Sequence, residues 1–210
     1  MGARVELAGE SLHLLDRALY WPAENALVAS DLHLGKAETF QRSSLPVPSG
    51  HAAADLARLS ALQTQTGAKR VYLLGDLVHA KRGMTEKLIE DVATWRKTFP
   101  ADIYLVTGNH DRHAGTLPES WGLETSENLK RRGLLLVHAP QEGSEPHICG
   151  HLHPVVNLNS SLEALRLPCF VLEAGRLILP AYGSFTGGFA VRREPGRELF
   201  AVADGEVIAL

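Results

Sequence analysis

Apolar and polar positions along the chain fall into short runs with two distinct periods. Residues 11–21, "SLHLLDRALYW", read as a strand pair, and "NALVAS" runs directly into "DLHLG". Residues 51–65, "HAAADLARLSALQTQ", place Leu56, Leu59 and Leu62 on one helical face and stop at Gly67. "KRVYLLGDL" is a buried type of strand, apolar and β-branched, closed by Gly75. "TEKLIEDVATWRKTF" predicts a second amphipathic helix, with Thr85 as N-cap and Leu88, Val92 and Trp95 inward. "DIYLV" is the next strand. Strand, helix, strand, helix, strand implies parallel pairing with helices covering the sheet. Beyond Arg132 the period shortens: "GLLLVH", "HICGH", "CFVL", "RLILP", "FAVRR", "LFAV" and "EVIAL" predict a β-rich second half. No GxGxxG follows the first strand, so the pattern predicts an α/β two-sheet sandwich flanked by helices, not an open dinucleotide-binding sheet.

Polar clusters sit just past the ends of these strands. Asp31 and His33 follow "ALVAS", Asp76 follows "VYLLG", and Asn109 follows "IYLVTG". His138 follows "LLLV", and His151 and His153 follow "ICG". That edge of an α/β sheet is where ligands bind. Two carboxylates, one amide and four imidazoles suit borderline divalent ions such as Mn²⁺, Fe²⁺ or Zn²⁺. Seven ligands exceed one four-coordinate ion but fit two ions if a carboxylate bridges them. The i, i+2 spacing of Asp31/His33 and of His151/His153 predicts, for extended strand ends, that both members of each pair face the same way.

Composition narrows the class. The 210 residues, 45% hydrophobic, are enough for one sizeable core, and a single domain over 1–210 is expected. Lys+Arg number 21 against 24 Asp+Glu, a net charge of −3, so a global basic footprint for nucleic acid is absent while a local one remains open. Two cysteines give no disulfide framework, "MGARVELAGE" has no apolar signal core, and no run is long enough to span a bilayer. A soluble cytoplasmic protein without a membrane partner is the expectation.

Taken in order, "DLHLG", "GDLVH", "GNHD", "VH" and "GHLH" resemble the signature set of the binuclear metallophosphoesterase (calcineurin-like) superfamily across residues 27 to 154. "HLGKAETFQRSSLPVPSG", "GDLVHAKRG", "WGLE", "GHLHPVV", "RLPCF" and "LPAYGSFTGG" narrow the resemblance to the bacterial DNA-ligase-associated metallophosphoesterases, over nearly the full length. One departure is "VHAP" at 137–140, where an acidic residue would follow the histidine. The resemblance implies that Asp31, His33 and His153 hold one ion, that Asn109, His138 and His151 hold a second, and that Asp76 bridges. It implies two divalent ions, Mn²⁺ foremost with Fe²⁺ or Zn²⁺ as alternatives. It also implies attack on phosphorus by a hydroxide shared between them, with His110 as general acid. The implied activity is a Mn²⁺-dependent DNA endonuclease of DNA repair, with DNA, single-stranded in preference, as its partner and functional links to a ligase, a helicase and an exonuclease.

Several residues stand between chemistry and plain structure. Asp111 can cap the following turn or orient an imidazole. Arg112 and His113 can contact phosphate or sit in a solvated loop, and the same choice applies to Lys36 and Arg42 around "AETFQ" and to His79 with Lys81 and Arg82. "KRR" at 130–132 reads as a solvated face, His13, His51 and His147 as ordinary structural histidines, and Cys149 as core. "GSFTGG" reads as a tight hairpin-like turn. Two other functions compete. One is a small-molecule or nucleotide-sugar lipid phosphoesterase, like the UDP-diacylglucosamine pyrophosphatases that share "DLHL" and "GNHD". Residues 112–136 are a short span with a polar middle, where such an enzyme needs an apolar acyl-binding insertion. The other is a catalytically silent tethering module, against which the complete ligand set weighs.

Overall fold

The computed structural model describes residues 3–143, 145–159 and 164–210. Its first sheet begins with an antiparallel meander of β1 (Ala3–Leu7), β2 (Glu10–Leu15), β3 (Ala18–Trp21) and β4 (Ala26–Ala29). A short helix α1 (Lys36–Gln41) and the longer α2 (His51–Thr66) lead to β5 (Arg70–Leu74), parallel to β4. Helix α3 (Glu86–Thr98) leads to β6 (Asp102–Val106), and α4 (Asn109–Ala114) precedes β7 (Leu123–Ser126). Both of these strands add in parallel, completing seven strands in the order of the chain.

The second sheet holds nine strands among the described residues. They are β8 (Leu129–Arg131), β9 (Leu134–Leu136), β10 (His147–Cys149), β11 (Pro154–Asn159), β12 (Ala164–Glu173), β13 (Arg176–Ile178), β14 (Phe189–Ala190), β15 (Arg197–Ala203) and β16 (Glu206–Ala209). β10 lies parallel between β9 and β13, and the long β12 pairs antiparallel with β11, β13 and β15.

Side-chain alternation explains the layering. In β4, Leu27 and Ala29 join a core against the helices, while Ala26 and Val28 join a core between the sheets. In β5, Val71 and Leu73 point one way and Tyr72 and Leu74 the other. A period of two with both faces apolar is what a parallel strand buried on both sides requires. Leu56, Leu59 and Leu62 of α2 and Leu88 and Val92 of α3 fill the helix side, and Trp95 packs against it half-buried. Across the other face, Leu134, Leu136, Ile148, Phe170, Leu177 and Phe200 meet the first sheet. Thr85 caps α3 as expected, its hydroxyl accepting the Leu88 N–H at 3.1 Å, and α2 ends on the left-handed Gly67. No helix among the described residues is long and apolar enough to cross a membrane.

Candidate metal centre

The strand ends of the first sheet are zipped together beyond their last regular residues. The N–H groups of Asp31, His33 and Leu34 donate to the carbonyls of Gly75, Asp76 and Leu77 at 3.0, 2.9 and 2.8 Å. The turn carrying Asp31 and His33 therefore rides on the turn carrying Asp76. The two sheets meet here as well: the His151 N–H donates to Asp31 Oδ2 at 2.9 Å, and the Gly183 N–H to the Asp31 carbonyl at 3.1 Å.

Seven side chains from five segments converge. Asp31, His33 and His153 form one cluster able to hold a metal ion, and Asp76, His138 and His151 form a second. His33 Nε2 and His153 Nε2 lie 3.3 Å apart, and His153 Nε2 lies 3.3 Å from Asp31 Oδ1. In the second cluster His138 Nε2 is 3.0 Å from His151 Nδ1, 3.0 Å from Asn109 Oδ1 and 3.5 Å from Asp76 Oδ1. Ligand atoms at metal bonds of about 2.1 Å stand roughly 3.0–3.4 Å from each other, so these separations fit shared coordination. Asp76 faces both clusters, with Oδ2 3.9 Å from His33 Nε2 and Oδ1 toward His138. Asp31 Oδ1 is buried without a hydrogen-bond donor, an acceptor that a cation would satisfy.

Electrostatics favour the neutral form of His33 and His151. Burial first, then His153, His110 and other neighbours, pushes His33 down to about 2. Burial and His138 lower His151. Neutral imidazole is the form a metal binds. The His138 ring is oriented by the Leu74 carbonyl, 2.9 Å from Nδ1. A backbone acceptor thus does what an acidic neighbour would have done in place of Ala139.

The backbone corrects one expectation. Asp31, His33, Asp76, His151 and His153 all have positive φ, 56°, 50°, 49°, 71° and 47°. The two pairs are not extended strand ends, and His151 and His153 serve different clusters. Left-handed turns, not strand alternation, aim these side chains inward. Glycines of the motifs provide the room: a Cβ on Gly75 would strike the His138 ring, and one on Gly150 would strike Asp31 and Ser30. The glycine preceding a ligand in "GD" and "GH" was the signal for this.

Arg112 and His113 do not sit in a loop, because the structure makes Asn109–Ala114 a helical turn. Asp111 is 3% exposed, and its carboxylate accepts the N–H groups of Gly108 at 2.9 Å and Val78 at 3.1 Å. It caps the turn and orients no imidazole. His110 stands beside the clusters, with Nδ1 2.6 Å from the His79 carbonyl and Nε2 3.9 Å from Asp76 Oδ2. His79 stacks on His110, and its Nδ1 is 3.3 Å from His33 Nδ1, so His33, His79 and His110 make a third metal-capable group on the far edge of His33. Burial, then Lys36 and His110, lowers His79 to about 4. Lys36 is half-buried, while Arg42 and Arg82 are exposed. His113 is also exposed and turns its Nδ1 back to the Asn109 carbonyl at 2.6 Å. Arg112 lines a cavity of about 480 Å³ with Thr107, Thr116 and Leu117 that includes none of the seven clustered side chains.

Comparison with known proteins gives the same picture. A calcineurin-like phosphoesterase model matches residues 25–170. The crystal structure of the nuclease MPE of Pseudomonas putida is similar at 34% identity, with 100% of each chain covered and a TM-score of 0.86. A protein of unknown function from Aquifex aeolicus, AQ665, is 19% identical over 61% of this chain and 78% of its own, with a TM-score of 0.42. The phosphoesterase Yfce of E. coli is 18% identical over 85% and 88%, with a TM-score of 0.40. Among curated proteins nothing matches significantly. With two carboxylate–imidazole clusters side by side at the edge of a two-sheet sandwich, the chain belongs to the calcineurin-like metallophosphoesterases and is a metal-dependent hydrolase.

Proposed function

We propose that this protein is a Mn²⁺-dependent DNA endonuclease acting in DNA repair in the cytoplasm, with single-stranded DNA as its preferred substrate. The observation that carries the reading is the facing pair of clusters, with Asp76 in one and turned toward His33 of the other, in a chain 34% identical to a nuclease over its full length. Asp31, His33 and His153 would hold one ion and Asn109, His138 and His151 the other, with a carboxylate oxygen of Asp76 toward each. Two bound divalent ions supply Lewis acidity toward phosphate and a nucleophile from water.

The chain's own residues do the rest. Asn109 is a neutral ligand, which leaves the site's cationic character intact for a phosphodiester. The zipped turns hold both clusters at fixed separation, so little reorganisation accompanies substrate binding. His110 donates Nδ1–H to the His79 carbonyl, which leaves Nε2 facing the clusters as the atom that carries a proton to the departing oxygen. Lys36, Arg42, His79, Arg82, Arg112 and His113 are the proposed substrate contacts. Of these, Lys36 and His79 have the strongest support, because both pack into the side-chain layer around His33.

The test is incubation of metal-free protein with single-stranded and duplex DNA, adding Mn²⁺, Zn²⁺ or Mg²⁺ separately. Cleavage with Mn²⁺, faster on single strands, is expected. No cleavage with any metal, together with hydrolysis of a nucleotide-sugar lipid, would replace the nuclease reading with the pyrophosphatase one.

A further inference from the structure

A continuous file of rings runs from the metal centre to the surface. His110 stacks on His79 (5.1 Å between centroids, 21°), and His79 stacks on Phe40 (6.2 Å, 28°). Phe40 meets Phe185 edge-on (5.8 Å, 86°), and Phe185 stacks on His51 (4.8 Å, 18°). Phe40, His51 and Phe185 are only half-buried, and Lys36 Nζ lies over the Phe185 ring, 6.0 Å from its centroid. Phe185, His51 and Lys36 line a narrow cleft together with the ligand His33.

The outer ring is held in place by groups with no evident part in hydrolysis. Buried Asp55 accepts the Ser184 N–H through both oxygens, at 3.1 and 3.0 Å, and is itself held by Arg58 at 3.1 Å. The Arg58 guanidinium also donates to the Tyr182 carbonyl. On the other side, the Tyr182 N–H donates to the Ser30 carbonyl at 2.8 Å, one residue before Asp31. The turn bearing Phe185 is thereby tied to the same backbone that carries the first metal ligand.

We propose that Phe40 and Phe185 form a stacking platform for a nucleobase next to the scissile phosphate, with Lys36 beside it for the backbone charge. This rests on the nuclease reading above. Planar ring faces interleaved with a cation suit a base on a phosphodiester chain, and stacking of this kind tolerates any base. Imidazoles and a lysine interleaved with the phenyl rings match a base on a charged backbone more closely than they match an acyl chain. His51, expected as an ordinary structural histidine, becomes the backing of the Phe185 ring.

The platform separates bases from backbone, and so does its test. Mn²⁺-loaded full-length protein is assayed on a single-stranded oligodeoxynucleotide and on the same backbone with abasic residues flanking the cleavage point. The wild type should prefer the base-bearing strand. Phe185→Ala should lose about 5–150-fold in kcat/KM on that strand, the range set by one base–aromatic stack, and change nothing on the abasic one. Phe185→Leu keeps apolar volume without a π-face and should show the same selective loss, whereas Phe185→Trp should retain the preference. An equal fall on both strands, or no fall, overturns the platform. Cleavage of both strands alike by the wild type overturns the platform and leaves the nuclease reading standing. Failure to cleave either strand with any metal overturns both.

Discussion

Removing the Asp111 carboxylate should loosen the metal centre without touching a ligand. The side chain is 3% exposed and accepts two backbone N–H groups, from Gly108 and from Val78. Gly108 immediately precedes Asn109, and Val78 lies two residues past Asp76, so one carboxylate ties the two turns that deliver these ligands. In Asp111→Ala both donors are left buried, each at about 1–3 kcal/mol. Water entering from the adjacent cavity offsets part of this, which leaves a net cost of about 2–4 kcal/mol. For a chain of this size that is a fall in Tm of roughly 4–16 °C. Melts are recorded in chelator, so that bound metal does not mask the change. Asp111→Asn keeps one acceptor oxygen and should fall between the variant and the wild type. In the Mn²⁺-loaded protein, kcat on DNA should drop further than stability predicts, because Asp76 and Asn109 lose their common tie. A fall below about 2 °C with unchanged kcat would refute the reasoning, since it would mean that neither N–H depends on the carboxylate.

Three other changes have definite expected outcomes. His110→Ala should keep Mn²⁺ binding, measured by calorimetry, and lose about 10²–10⁴-fold in turnover on DNA, with a smaller loss on a nitrophenyl diester whose leaving group needs no acid; equal rates on DNA would remove His110 from the mechanism. His33→Gly should melt above His33→Ala in chelator by about 1 kcal/mol, because φ is 50° there and only glycine adopts it freely; equal melting would show that the left-handed turn is not strained. Glu173 is pushed up by burial, but hydrogen bonds from Arg176 and Arg197 outweigh this and hold it below its ordinary value. Its contribution is therefore present above about pH 4.5 and is lost as pH falls through the lowered folded value. Glu173→Gln should flatten that acid limb of the stability curve, and an unchanged limb would show that the arginines do not stabilise the carboxylate.

The parallel centre of the first sheet was legible because β4, β5 and β6 are apolar on both faces and each ends on a polar cluster. Asp31, His33, Asp76 and Asn109 follow these three strands, and His138, His151 and His153 meet them from the second sheet. Two outer strands were not legible. β1 is short, and β7, "LETS", is largely polar and takes its place only by pairing with β6. Asn109–Ala114 opens with residues of low helix propensity, so local preference points to a loop. The turn is helical because Asp111 caps it from within and because Asp76 Oδ1 accepts the His110 N–H at 2.9 Å, a partner that exists only after folding. The same limit hid the ring file: Phe40, His51 and Phe185 are remote in sequence, and nothing in "GSFTGG" announces what its phenylalanine would meet.

The left-handed backbone at five of the seven clustered residues sets folding against hydrolysis. A chain selected only to fold would place glycine at His33, His151 and His153, and would be relieved of about 1 kcal/mol at a typical position, whereas Asp31 and Asp76 are of a type that visits this region more readily. Glycine there is a change that stabilises the backbone and extinguishes the centre in one step. A descendant freed from its substrate would drift down that slope, and glycines in the ligand turns of an otherwise intact sandwich would be the scar of a lost enzyme.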